Sequence, residues 1–551
     1  MNDASSAAAS SDESCYAEAG SRRLHPALAI TLIVLVATAA FLSIGPALDD
    51  AYIVYRYVAR FLAGDGLTFN DGEYVEGFTS LIWVLVLSAA TWLTGLEPPL
   101  VSVGLNYLAV VSTAITLPAL LKKLNVPTLW AWGGVALMAA SISYYRVAYI
   151  GLEFGLYSFL LMLFFYTLLP ALRTDVRPST SRFVAAGLVG GVLFGTRPES
   201  LLMAPLVCGA LTIFSRDRPI VRTIGLLAVP WLLTMTAILA WRLSYYGEWL
   251  PNSVSAKSAD FRSIADVQEQ LLKGLAYLFG AYRENPALAY AAAVILLRLV
   301  LVPARRLTIC LLLIPIFIAH VAVLQNGGDW MPHFRFVNVH TPLYIASLLV
   351  AVAGWRVWRR DVTVVCLSIF AALQVLFNAP HFTPALHPQI SRFNGWMDQY
   401  RHVGLAVAPA WRRGDILMAE SIGMLGYAAP NAYIHDPLGL TDSALAHDST
   451  AERTLYGRKN WEYSLGLDPS LIVIHHWPHQ RTWSMYSLRY PANYSFYTVA
   501  WRGEGPARCL YVIIRNDRAE HYARALGPLL SRRLVFGDIS YPCVPHVLPV
   551  S

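Results

Sequence analysis

Apolar runs of about 15 to 22 residues recur along most of the chain, split by short charged punctuation, and each approaches the length a helix needs to cross a bilayer. Such a chain has few ways to fold except in a membrane, where helices satisfy the backbone groups that no water reaches. Composition agrees, with 56% of the 551 residues hydrophobic, 14% charged and a mean hydropathy of +0.47. A soluble domain carries more charge than this. The net charge of +7 is no sign of nucleic-acid binding, because the basic residues stand in small groups between apolar runs, where the positive-inside rule puts them.

Those groups are Arg22/Arg23, Lys122/Lys123, Arg173/Arg177/Arg182, Arg216/Arg218/Arg222, Arg305/Arg306 and Arg356/Arg359/Arg360. All fall on the cytoplasmic side when spans are drawn near 27–46, 128–143, 154–172, 183–196, 200–214, 222–243, 286–302, 307–325, 337–354 and 362–378. Residues 78–121 hold two further apolar runs divided at Glu97-Pro98-Pro99, yet only an odd number of crossings fits there, so one run is expected to be a half-helix or interfacial segment. About eleven spans follow, with the N-terminus inside and the C-terminal region outside. Residues 1–24 read as a disordered cytoplasmic tail, with no signal-peptide cleavage site after the first apolar run.

Residues 25–379 then form the membrane domain. Beyond Asn378 the chain turns polar and aromatic, with β-rich runs at Asp415–Ala419, Leu471–His475 and Cys509–Ile514, and 380–551 reads as a soluble α/β domain of about 170 residues. The fold class expected is therefore a polytopic α-helical membrane protein with a C-terminal soluble α/β domain. Cys15, Cys208, Cys310, Cys366, Cys509 and Cys543 show no metal-type spacing, and Cys509 and Cys543 either pair in an oxidising compartment or stay free. Trp461, Tyr463, His475, His476, Trp477 and Trp483 read as core packing before glycan stacking.

The unusual charges gather in the loops expected outside, 47–77, 144–153, 197–199, 244–285 and 326–336. Asp49 and Asp50 end the first apolar run, a costly position for two carboxylates unless they are hydrated, paired or bound to a cation. Either they supply a general base at the membrane surface or they cap the helix beginning near Ala51. That helix, with Tyr52, Ile53, Tyr55, Tyr57, Val58, Phe61 and Leu62 among Arg56 and Arg60, either lies in the interface plane or packs between spans. Glu153, Arg197 and Glu199 sit at helix ends, as ligand contacts or as a buried ion pair. The run Asn326-Gly327-Gly328-Asp329-Trp330-Met331-Pro332-His333-Phe334-Arg335 brings an acid, aromatics, a histidine and an arginine into one loop. Arginine's planar fork suits a phosphate, which makes Arg197 and Arg335 candidates, with Lys257 as a further contact.

Taken as a set, Asp49-Asp50-Ala51-Tyr52-Ile53, Val75-Glu76-Gly77-Phe78-Thr79-Ser80, Arg197-Pro198-Glu199, Tyr246-Gly247-Glu248-Trp249-Leu250-Pro251-Asn252, Gly328-Asp329-Trp330-Met331-Pro332 and Asp436-Pro437-Leu438-Gly439-Leu440-Thr441-Asp442 resemble bacterial GT-C membrane glycosyltransferases. Within that class the pattern is similar to the mycobacterial terminal arabinofuranosyltransferases and pilin arabinosyltransferases. The resemblance implies inverting transfer of a sugar, arabinofuranose by best match, from a polyprenyl-phosphate donor to a glycan or glycoprotein hydroxyl outside the cytoplasm. It implies a bacterial inner membrane, an outward-facing site and an outer-loop aspartate, Asp49 or Asp50, as base. Glu76, Glu153, Glu199, Asp329, Trp330 and His333 are then expected to line the substrate site. The leaving phosphate is stabilised either by arginines or by a divalent cation, for which Asp49, Asp50 and His333 are the available ligands. His333-Phe334 departs from the glycine-tyrosine of such loops. A secondary transporter or a glycan-binding scaffold would also place charges in spans, but no internal repeat is visible.

Overall fold

The computed structural model describes residues 48–172, 179–214, 220–258, 263–303, 305–331, 333–353, 360–378, 388–475, 493–499 and 510–534, with four isolated positions before residue 48. The N-terminal tail, most of the first expected span, and the Cys509 and Cys543 pair lie outside them.

The apolar runs become helices. In order they are α1 (Asp49–Ala63), α2 (Leu81–Thr94), α3 (Pro98–Lys123), α4 (Thr128–Ala139), α5 (Ile142–Ala148), α6 (Phe154–Ala171), α7 (Thr180–Thr196), α8 (Met203–Phe214), α9 (Ile220–Tyr246), α10 (Asn252–Lys257), α11 (Ile264–Glu284), α12 (Pro286–Leu301), α13 (Arg306–Asn326), α14 (Arg335–Asn338), α15 (Thr341–Ala353), α16 (Arg360–Asn378), α17 (Pro388–Val407) and α18 (Ile422–Ala428). Among the described residues α3, α6, α9 and α13 are each long and apolar enough to span a bilayer alone. In the ambiguous stretch, α2 has 14 residues and α3 has 26. At 1.5 Å per residue they measure about 21 and about 39 Å, so only α3 matches a core of about 30 Å.

Small residues let the spans close. α7 runs along α9 with Gly187 and Gly190 at the seam, where a Cβ would stand 2.3 Å from the Leu227 carbonyl oxygen and 2.5 Å from the Trp231 ring. Close backbone approach of this kind is what holds helices together where no hydrophobic effect acts between them.

One expectation is corrected. Residues 244–285, read as an outer loop, contain the 21-residue α11, which meets α12 at a bend of 103°. Its start carries a capping box, Ser263 with Asp266, and its exposed face is apolar, with Ile264, Leu272 and Phe279 at 87, 58 and 70% exposure. The buried face, Gly274, Tyr277, Leu278 and Ala281, packs on α13. The charges Asp266, Glu269, Lys273, Arg283 and Glu284 hide this amphipathic helix from a search for continuous apolar runs.

The C-terminal region builds a six-stranded sheet in the order β2 (Ile434–His435), β1 (Leu417–Ala419), β5 (Leu471–His475), β7 (Leu510–Arg515), β6 (Tyr494–Val499), β8 (Leu530–Leu534). Two short strands, β3 (Glu452–Arg453) and β4 (Arg458–Lys459), pair separately. β2, β1 and β5 are parallel, with α18 as the crossover between β1 and β2, and the other pairings in the large sheet are antiparallel. β1 and β5 are buried throughout except at His475, as parallel strands covered on both faces require.

Candidate active site

Helix α1 connects the membrane body to the sheet. Two acids occupy its first turn, and it stops at Gly64, whose φ of +92° puts it in the left-handed region, with its N–H on the Arg60 and Phe61 carbonyls. Tyr55, Arg56, Tyr57 and Val58 are buried, so α1 is a packing helix and not one lying in the interface plane. Tyr57 donates to the Val75 carbonyl at 2.5 Å and accepts from the Gly77 N–H at 2.9 Å, which fixes the 75–77 segment.

The charges of α1 grip both ends of α18. The Asp49 carboxylate accepts from the Gly423 and Met424 N–H groups at 3.1 and 2.8 Å, capping the N-terminus. Two turns further on, the Arg56 guanidinium donates to the carbonyls of Gly426, Ala429 (3.1 Å) and Ala432 (2.8 Å) at the C-terminus. A carboxylate at the positive end of a helix and a cation at its negative end both match its dipole. Burial pushes the Asp49 carboxyl up to about 7, although the Met424 and Gly423 amides pull the other way.

Asp50 points elsewhere. It lines a cavity of about 400 Å³ together with Glu153, Arg197, Glu199, Lys257 and Arg335. The Lys257 ammonium on α10 stands 3.9 Å from the Asp50 carboxylate. Arg197 leaves the end of α7 in extended backbone and donates to Glu153 at 2.8 Å and to Glu199 at 2.7 Å. Glu153 is held in place from α3, where Asn106 donates to the Leu152 carbonyl and accepts from the Gly155 N–H. Arg335 makes a two-pronged contact with Asp329, at 2.6 and 3.0 Å. Both guanidinium groups lie 5.1–5.5 Å from the Phe154 and Phe336 rings. Each arginine has more N–H donors than these bonds use, so a phosphate can still be bound.

The rest of the cavity wall mixes polar side chains, among them Ser253, Gln325 and Asn326, with apolar ones. Leu201, Leu202 and Leu250 line it while remaining 42–45% exposed.

Four residues expected at the substrate site have other surroundings. Glu76 is buried against Arg242 of α9, with both carboxylate oxygens within 3.2 Å of its Nε, and does not line the cavity. Asp329 stands behind Arg335 as its partner. His333 is 3.8 Å from Glu284, and neither of these two reaches the cavity. At φ +68° His333 occupies the left-handed region that favours glycine. Trp330 is absent from this cavity and lines an adjoining one.

The sheet region reaches the site through the 436–442 loop. Asp436 accepts from the Leu438 and Thr441 N–H groups at 2.9 Å each, and Asn252 of α10 donates to the Gly439 and Leu440 carbonyls. Gly77 allows this contact, since a Cβ there would stand 2.6 Å from the Thr441 methyl.

Among the described residues no three His, Cys, Asp or Glu side chains converge to hold a metal ion. Both Asp49 oxygens take amide hydrogens, Glu153 and Glu199 both face Arg197, and His333 lies by Glu284. Of the three residues expected as cation ligands, Asp50 alone lines the cavity of about 400 Å³.

No family model matches the chain. It is 29% identical over 220 residues to the terminal β-(1→2)-arabinofuranosyltransferase of Mycobacterium tuberculosis, a match covering 38% of this chain and 35% of that protein. The enzyme of the same description from Corynebacterium glutamicum is 28% identical over 349 residues, covering 57% of this chain and 48% of that one. The matched stretch is thus less than half the length of either curated relative. Among solved structures, apo ArnT from Cupriavidus metallidurans superposes with a TM-score of 0.53 at 13% identity, over 88% of this chain and 97% of ArnT. The apo oligosaccharyltransferase of Archaeoglobus fulgidus gives 0.51 at 11%, over 85% and 73%. The chain has the fold of the GT-C membrane glycosyltransferases and is related in sequence, over part of its length, to the terminal arabinofuranosyltransferases.

Proposed function

We propose that this protein is an inverting glycosyltransferase that moves a sugar, arabinofuranose by sequence relationship, from a polyprenyl-phosphate donor to a hydroxyl of a glycan or glycoprotein. The observation that carries this reading is the cavity itself, where Asp50 shares a chamber with Arg197, Arg335 and Lys257 behind an exposed leucine rim. A lipid-borne donor needs an apolar approach and a cationic seat for its phosphate. A protein of the same fold, ArnT, has been solved with undecaprenyl phosphate bound.

In this mechanism Asp50 takes the proton from the acceptor hydroxyl, whose oxygen attacks the anomeric carbon from the face opposite the phosphate. The bond from anomeric carbon to phosphate oxygen breaks, and polyprenyl phosphate departs with the electron pair. Arg335, Lys257 and the unused donors of Arg197 stabilise the charge that develops there, a fixed electrostatic contribution available before reaction begins. No step is routed through a metal. Asp49 holds α18, and through it the sheet, at the site where Asp50 works. We further infer about eleven crossings of a bacterial inner membrane, with this chamber and the C-terminal region facing outward.

The test uses the purified full chain in lipid nanodiscs with synthetic polyprenyl-phosphate arabinofuranose and an arabinan oligosaccharide. The expected result is one extended glycan, inverted at the new linkage, for each polyprenyl phosphate released. No transfer from arabinose-, mannose- or glucose-bearing donors would turn the reading towards a transporter or a glycan-binding scaffold.

A further inference from the structure

A second cavity, of about 170 Å³, lies where the sheet region meets the membrane body and shares Asp50 and Lys257 with the first. Its far side is built by the sheet. Glu420 directly follows β1 and His475 ends β5, and these strands are parallel neighbours. Both side chains therefore leave the sheet at its carboxyl edge, where open α/β sheets hold their ligands. Lys459, on β4, stands 2.9 Å from one Glu420 oxygen, and His475 Nδ1 is 3.6 Å from the other. Burial opposes ionisation of Glu420, but Lys459 and His475 outweigh it and hold the carboxyl below its usual range. Trp330 and Tyr456 supply aromatic wall, with ring centroids 5.5 Å apart.

We propose that this second cavity is the acceptor subsite and that it takes one neutral sugar ring, with Trp330 against the ring face and the Glu420–Lys459 pair against its hydroxyls. The proposal rests on the glycosyltransferase reading above. A carboxylate beside an ammonium offers acceptors and donors with little net charge, which suits a polyol better than an anion. An aromatic wall suits the apolar face of a sugar ring. The volume is close to the roughly 150 Å³ of an engineered cavity that admits benzene, so one sugar ring fits. Asp50 stands where the two cavities meet, so a ring seated here presents its hydroxyl to the proposed base.

The experiment compares wild type with Trp330→Ala, Glu420→Gln and Lys459→Met, as full chains in nanodiscs. Transfer is measured with donor and acceptor varied separately, and binding of the arabinan oligosaccharide is measured directly by calorimetry without donor. The expected result is an acceptor KM raised tenfold or more in each variant that retains the wild-type melting temperature, with donor KM within twofold. Oligosaccharide binding should weaken in parallel. An unchanged acceptor KM in Trp330→Ala together with unchanged binding would overturn the subsite, as would a donor KM that rises as much as the acceptor KM. If wild type transfers nothing yet binds the oligosaccharide and the variants do not, the subsite stands while the transfer reading falls. If wild type neither transfers nor binds, both fall.

Discussion

Removing the Asp49 side chain should destabilise the docking of α18 far more at pH 5 than at pH 8. Two effects of opposite sign meet at this residue. Asp49→Ala strips the acceptor from the Gly423 and Met424 amides, and each buried amide left without a partner costs about 1–3 kcal/mol. The same change also removes a carboxyl whose folded pKa stands at about 7, against about 3.9 when undocked. A raised folded pKa means that docking takes up a proton, so the group's stabilising contribution is complete below about pH 4 and is lost as pH rises through about 7. Keeping Asp49 buried therefore costs about 1.5 kcal/mol at pH 5 and about 4 kcal/mol at pH 8. The amide loss is common to both, so destabilisation by Asp49→Ala should shrink by about 2.5 kcal/mol between them, about 70-fold in an equilibrium constant. Hydrogen exchange of the 422–428 amides in nanodiscs, corrected for intrinsic rates, reads this directly. A wild-type to variant protection ratio that is the same at both pH values, or grows with pH, would rule out a raised Asp49 pKa in the docked state.

Gly423→Ala should undock the same helix, because the new Cβ would sit 1.9 Å from the Asp49 carbonyl oxygen; faster exchange across 422–428, by about 1–3 kcal/mol of lost protection, checks it. Glu76→Gln breaks a buried pair with Arg242 and should cost about 3–5 kcal/mol, seen as a lower melting temperature with donor KM unchanged in the surviving folded fraction. Arg335→Lys keeps the charge but loses the planar fork on Asp329, so donor KM should rise about tenfold, measured by steady-state donor titration.

The parts of this fold written in continuous apolar stretches were readable from the sequence, and the parts written in long-range partnership were not. The expected span at 154–172 became Phe154–Ala171 and that at 307–325 became Arg306–Asn326, because a run of apolar side chains specifies its helix locally. The Ser263 and Asp266 capping box was equally local, but the charges around it drew α11 into the loop class. Asp49 and Asp50 are indistinguishable by type and position. What separates them is the Gly423 amide, 374 residues away. Arg197 was legible as a charge at a helix end able to pair with Glu153 or Glu199, and the structure joins it to both, the Glu153 contact needing α6 and α7 side by side. Glu420, Tyr456 and Lys459 carry no local mark of a site in their neighbouring residues. The available signal was positional: Glu420 follows β1 at the end of a parallel strand, a place that exists only once the pairing with β5 is known.

Asp50, and not its neighbour, is the residue proposed to perform the proton transfer. The most direct measurement is single-turnover transfer from polyprenyl-phosphate arabinofuranose by the wild type, Asp49→Asn and Asp50→Asn full chains, each first shown to bind donor. Asp50→Asn is expected to slow the chemical step by about 10²–10⁴-fold with donor affinity kept, while Asp49→Asn retains the step once folded. Undiminished turnover in Asp50→Asn, or loss confined to a folded, donor-binding Asp49→Asn, would contradict it.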